Sequence, residues 1–148
     1  AIAFGIALKE SKSKGVSINM VNLSQEEIVE FTDISLSIAD NIKNNWIFVD
    51  EIGEVLSQNY KQSREMERLI RHGRNFGNTF IFNTQRPAYI NKRTWNLTDI
   101  LVCFRVSWNL DIKVLKELLS NLGKSQHEVE GYIRTITNLN VGEYALFV

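Results

Sequence analysis

Apolar residues in this chain fall into short runs that end in polar groups. Trp46 to Val49 runs into Asp50 and Glu51, and Thr79 to Gln85 is a second such stretch that ends in polar groups. Runs this continuous predict strands buried on both faces, as in a parallel sheet. Asp99 to Val106 predicts a third strand, and Tyr144 to Val148 a closing one after a turn at Gly142. Val16 to Val21 alternates apolar and polar residues and also predicts a strand. Between the runs the period changes. Ala1 to Ser13 predicts a helix with Ile2, Phe4 and Ile6 facing inward and Gly15 as its stop. Ser24 to Glu27, Ser-Gln-Glu-Glu, is a capping box that starts a helix to about Phe31. Thr32 to Lys43 fits either period, and helix is favoured because the chain must cross back before Trp46. A polar helix is predicted from about Ser57 to His72, ended by Gly73, with 74–78 as a loop. Leu110 to Leu122 is amphipathic, with Leu115, Leu118, Leu119 and Leu122 inward and Gly123 as its cap. One more helix follows from Ser125 to about Ile133. Strands alternating with helices predict an α/β fold, a mostly parallel sheet flanked by helices, as a single domain over 1–148.

Composition changes this picture little. Lys+Arg and Asp+Glu both number 17, so any nucleic-acid surface must be a local patch. The single cysteine, Cys103, lies in an apolar run, is expected to be a buried core residue, and leaves no disulfide within one chain. That usage fits a reducing compartment, and the expected location is cytoplasmic. No apolar run approaches the roughly 18 residues that span a bilayer. Ala1 to Leu8 lacks the basic flank and cleavage pattern of a signal peptide, and the missing initiator methionine predicts a fragment or processed chain.

Chemistry is expected where the strands end. In open α/β sheets ligands bind at the carboxyl ends of the strands. There Asp50 can hold a hydrated Mg²⁺, a hard cation that prefers oxygen, and Glu51 can orient or deprotonate a water. If the two strands are parallel neighbours, Thr84, Gln85 and Arg86 project at the same edge. A glutamine amide donates and accepts, so Gln85 can sense a terminal phosphate or hold the attacking water. Arg71 and Arg74 stand just before the second strand, at the end opposite Gln85. Within one subunit they do not reach that phosphate easily, but across an interface either can act as an arginine finger.

This combination resembles the HerA/FtsK superfamily of ring-forming DNA-translocating ATPases, its HerA-like branch in particular. The resemblance rests on Trp46 to Glu51 as a Walker B strand, on Arg71 to Gly77 ahead of the next strand, and on Asn83-Thr84-Gln85-Arg86-Pro87 at that strand's end. Asp99 to Arg105 and Val141-Gly142-Glu143-Tyr144-Ala145 extend it, so that it covers roughly residues 46 to 148. It implies a RecA-like (ASCE) P-loop NTPase core that hydrolyses ATP between subunits of a hexameric homo-oligomer and draws duplex DNA through the pore, with or without a nuclease partner. By position, Asp50 would bind Mg²⁺, Glu51 would activate water, Gln85 would be the sensor, Thr84 and Arg86 would touch the nucleotide, and Arg74, with Arg71 second, would be the finger. One departure is large. The Gly-Lys-Ser/Thr phosphate loop is not in these 148 residues; Lys9 to Gly15 has lysines and serines in the wrong order. The order of elements places the loop just before Ala1 in a longer parent chain; the rival is a degenerate relative that lost it.

Plainer readings stand beside these. Arg64 and Arg68 also read as a solvated helix face paired with Glu65 and Glu67. Lys92 and Arg93 fit either a DNA-facing pore loop or an ordinary surface loop. Trp46, Trp95 and Trp108 read as packing residues rather than base-stacking platforms, and His72 and His127 lack partners at metal-ligand spacing. Two functions therefore remain: an ATPase motor acting on DNA, or a non-hydrolysing assembly or nucleic-acid-binding module on the same fold.

Overall fold

The computed structural model describes residues 1–10, 15–39 and 42–148. The chain forms two compact units, residues 1–85 with 89–94, and 86–88 with 95–148.

The first unit opens with two packed helices, α1 (Ile2–Glu10) and α2 (Gln25–Ala39). The capping box forms as expected: the Ser24 amide and hydroxyl both donate to Glu27 Oε2, at 2.7 and 2.8 Å. From there α2 continues through the ambiguous stretch to Ala39; residues 40–41 and the predicted end of α1 at Ser13 lie outside the described residues. The inward face of α1 differs from the expectation. Ile2 and Ile6 are exposed, while Phe4 meets the Phe31 ring at 5.6 Å and Gly5 is buried. A Cβ on Gly5 would sit 2.7 Å from the Ser35 carbonyl oxygen, so the helices cross at the position where one of them has no side chain. That turns the helix away from the face its isoleucines would bury.

Residues 15–20 form no strand, in contrast to the prediction for Val16 to Val21. Their alternation finds no buried face: Ile18 and Val21 are exposed, and no neighbouring strand pairs with them among the described residues.

Strand β1 (Trp46–Val49) pairs in parallel with β2 (Thr79–Phe82), in the register Trp46 to Thr79 through Val49 to Phe82. A buried asparagine aligns their starts. Asn78 Oδ1 accepts from the Asn45 amide at 3.1 Å and its Nδ2 donates to the Ile42 carbonyl at 2.7 Å. The expectation of burial on both faces is corrected. Ile47, Val49, Phe80 and Phe82 are partly buried, but Trp46, Phe48 and Ile81 on the other face are exposed, with the Trp46 and Phe48 rings stacked. Among the described residues, only one face of this two-stranded sheet is covered.

Between the strands lies α3 (Arg64–Gly73). It begins seven residues later than Ser57, the predicted start, because Ser63 is the cap. Ser63 is fully buried; its hydroxyl accepts from the Met66 amide and donates to Asp33, which also accepts from the Glu65 amide. Ser57 instead bridges Ile90.

The second unit holds β3 (Leu101–Cys103), α5 (Asn109–Asn121), α6 (Gln126–Thr137) and β4 (Ala145–Phe147), after the one-turn helix α4 (Lys92–Trp95). β4 lies antiparallel to β3, so this pair departs from the parallel order. Cys103, Leu115, Leu119, Val129, Ile133 and Phe147 make its core. Leu122, predicted to face inward, is exposed at the end of α5, one residue before Gly123 turns the chain with φ of 78°. α6 runs further than predicted because a second capping box, Ser125 with Glu128, starts it and apolar residues continue at helical spacing to Ile136.

Candidate active site at the strand ends

The parallel register sets the site. Because Val49 lies opposite Phe82, the residues that leave β1 and β2 emerge side by side. Asp50 is exposed in the turn that follows β1. Glu51 comes next and has φ of 50°, in the left-handed region that glutamate rarely adopts. A 3₁₀ turn, Ile52–Glu54, carries the chain away, with Ile52 fully buried as its anchor.

The Glu51 carboxylate is held by the end of the other strand. Oε1 accepts from the Thr84 hydroxyl, and Oε2 accepts from the Gln85 amide at 2.9 Å. A Cβ on Gly53 would lie 3.3 Å from Oε1, so a residue without a side chain leaves room for the carboxylate to fold back. The Glu51 amide donates to Asn83 Oδ1 at 3.0 Å, and the Ile52 amide to the Asn83 carbonyl at 3.0 Å. Thus Glu51, Thr84 and Gln85, singled out in the sequence, do come together. The residue that sequence reasoning missed is Asn83. No local signal pointed to it: an asparagine side chain in a turn ordinarily bonds its own backbone two residues on, whereas here the partner lies 32 residues away along the chain.

The remaining candidates sit elsewhere. Arg71 donates to Glu67 Oε1 at 2.7 Å on the exposed face of α3, beside the Arg68–Glu65 pair. Arg74 is exposed at the start of the 3₁₀ turn Arg74–Phe76, which feeds the beginning of β2, the end opposite Gln85. Arg93 is exposed, 3.9 Å from Glu67, and Lys92 is exposed beside it; they open α4 rather than a loop. Arg86 belongs to the second unit. Its guanidinium lies 3.7 Å from the centre of the Trp108 ring, and its Nε is 3.5 Å from Asp111 Oδ2. Asp111 is buried and accepts from the Ala88 amide at 2.8 Å.

No group of three or more His, Cys, Asp or Glu side chains among the described residues is placed to hold a metal ion by itself. What the strand ends offer is one exposed carboxylate, Asp50. Such a donor suits Mg²⁺, which keeps several waters and shares its coordination with substrate phosphates.

A family model described as Zonular occludens toxin (Zot) matches residues 5–113. The chain belongs to the Zot family. That match runs from within α1 past β3 into the start of α5, and takes in every strand-end residue described above. Among solved structures, this Zot-family chain is similar to the genome packaging NTPase B204 from Sulfolobus turreted icosahedral virus 2. In complex with ATP-gammaS that protein is 11% identical, with a TM-score of 0.66, over 97% of this chain and 65% of that chain. In complex with sulfate it is 10% identical, with a TM-score of 0.69 and the same coverage. The fold is therefore that of a P-loop NTPase. The Zot-family chain spans 65% of the length of these structures. No curated protein matches it. No helix among the described residues is long and apolar enough to cross a membrane.

Proposed function

We propose that this chain carries the metal- and water-handling side of the ATP site in a nucleic-acid-translocating motor of the HerA/FtsK type. One observation carries the reading. The acid pair at the end of β1 and the Thr84-Gln85 pair at the end of the parallel β2 lie at one sheet edge, joined through the Glu51 carboxylate. The likeness in fold to an NTPase that packages a viral genome supports the same direction. In this reading Asp50 would hold Mg²⁺ through water, and the ion would supply charge neutralisation at the phosphates. Glu51 orients a water and takes its proton. The Gln85 side-chain amide senses the terminal phosphate, and Thr84 adds a contact to the nucleotide. Arg74, with Arg71 second, reaches the nucleotide of the next subunit in a hexameric ring. Lys92 and Arg93 face the DNA. Packaging, conjugation and DNA-end processing are the duties such a motor serves, the last with a nuclease partner.

The test uses the natural protein. Glu51→Gln should keep ATP binding and lose hydrolysis by a factor of about 10² or more, the usual contribution of a general base. Unchanged turnover would remove Glu51 from this role. Arg74→Ala should abolish turnover and leave nucleotide affinity intact, and mixing it with Glu51→Gln should restore part of the activity. A mixture with none would argue against a finger that acts across an interface.

A second reading has its own support, since these 148 residues hold no Gly-Lys-Ser/Thr loop. It makes the chain a non-hydrolysing assembly or nucleic-acid-binding module, and it predicts no ATP binding by the natural protein.

A further inference from the structure

We infer that Asn83 is the positioning residue for Glu51, fixing the left-handed turn that aims its carboxylate; the inference rests on the reading of Glu51 as the acting carboxylate.

Among the described residues only two other than glycine have positive φ, Asn44 and Glu51. For asparagine the left-handed region is cheap, because its short polar side chain bonds locally, while for glutamate it costs about 1–2 kcal/mol. A backbone held there persists only when its surroundings over-determine it. Asn83 supplies that determination with three bonds. Its amide donates to the Val49 carbonyl at 3.2 Å and continues the parallel pairing past the end of the strands. Its carbonyl accepts from Ile52 and its side-chain oxygen from Glu51, both at 3.0 Å. The last bond is the selective one. Any residue at 83 except proline provides the two backbone bonds, but only a side-chain acceptor of this reach takes up the Glu51 N–H.

The consequence appears at the carboxylate. With the Glu51 amide turned toward Asn83, its side chain folds back over Gly53 and meets Thr84 and Gln85, the two residues after Asn83. Three consecutive residues of one strand end therefore grip a single residue of the other, one through its backbone and two through its carboxylate. Asn83 is itself exposed, so its bond to Glu51 is not needed to fill a core. Without the Asn83 oxygen, the turn at Glu51 relaxes toward the ordinary right-handed or extended regions. The carboxylate then points away from the place where a water would be activated.

The experiment compares the natural protein with its Asn83→Ala, Asn83→Asp and Glu51→Gln variants, reading ATP turnover and amide hydrogen exchange at Glu51 and Ile52. Asn83→Ala should lower kcat by about tenfold to a hundredfold, the scale of a reacting group displaced by about 1 Å, with KM changed less than threefold. Exchange at Glu51 should quicken in Asn83→Ala. It should return to the wild-type rate in Asn83→Asp, whose carboxylate keeps the acceptor. Unchanged exchange at Glu51 in Asn83→Ala overturns the inference, as does an equal rise in KM that accounts for the loss of kcat/KM. The two readings fail separately. If Glu51→Gln turns over ATP normally, the role of Glu51 falls, and exchange at Glu51 alone still decides whether Asn83 holds the turn.

Discussion

At the scale of single residues, the strand ends show how a polar group acquires a place. Glu51 is held through both carboxylate oxygens and its amide. Asp111 is a buried counterpart in the second unit, joining the Ala88 amide and the Arg86 guanidinium beneath Trp108. Removing Arg86 leaves a buried carboxylate with its amide partner but without its cation. Arg86→Ala should therefore lower stability by about 2 kcal/mol in urea denaturation. Arg86→Lys should recover little of it, because an ammonium does not stack on the Trp108 ring as a planar guanidinium does. An equal recovery would mean that charge alone matters here. The sequence made the placement of Asp50, Glu51 and Gln85 at the strand ends legible, because each closes a stretch that begins as an apolar run. It left Asn83 and Asp111 unread. Asn83 acts through a left-handed turn at a glutamate, which no propensity announces. Asp111 sits in an amphipathic helix where an acid on the first turn looks solvated.

At the scale of elements, caps were the most readable signals and helix faces the least. Both Ser-x-x-Glu boxes start helices, Ser24 with Glu27 and Ser125 with Glu128. The hydroxyls and amides of these serines hold both carboxyls below their ordinary value of 4.5. A carboxyl whose folded value is depressed stabilises the fold above its unfolded value and loses that contribution as pH falls through the folded one. Helix content at α2 and α6 should accordingly fray below about pH 4.5, and Glu128→Gln should remove the acid sensitivity of α6 while Glu130→Gln leaves it unchanged. Amide exchange in the first turn of α6 measures this. The face of α1 was misjudged because Gly5, not an isoleucine, sets the crossing with α2. Glycine to alanine within a helix ordinarily gains up to about 1 kcal/mol. At Gly5 the added Cβ would press on the Ser35 carbonyl and Ile38, so Gly5→Ala should instead cost about 1–3 kcal/mol, visible as a lowered denaturation midpoint.

At the scale of the whole molecule, each unit has its own buried set, and both two-stranded sheets leave one apolar face open, with Trp46 and Phe48 on the first and Val102 and Leu146 on the second. The apolar runs stated correctly which residues favour burial. A run cannot state whether the layer that covers its second face lies among the same residues, and here, among the described residues, one face of each sheet is exposed. Cys103, by contrast, was readable and lies in the second core, where burial pushes its thiol up to about 11 from an ordinary 9.0. Because its folded value is raised, its contribution to stability is complete below about pH 9.0 and is lost as pH climbs toward 11. At pH 8 the thiol should resist alkylation until denaturant opens the second unit, so its labelling rate should track unfolding. The left-handed turn at Glu51 has a last consequence for the stability of the protein as a whole. Under the proposed role of its carboxylate, position 51 is one where folding and chemistry select different residues. Once the carboxylate is gone, Glu51→Gly should be more stable than Glu51→Ala by about 1 kcal/mol, the reverse of their order in a helix. A library screened for thermal stability alone would drift toward glycine at that site and discard the acid.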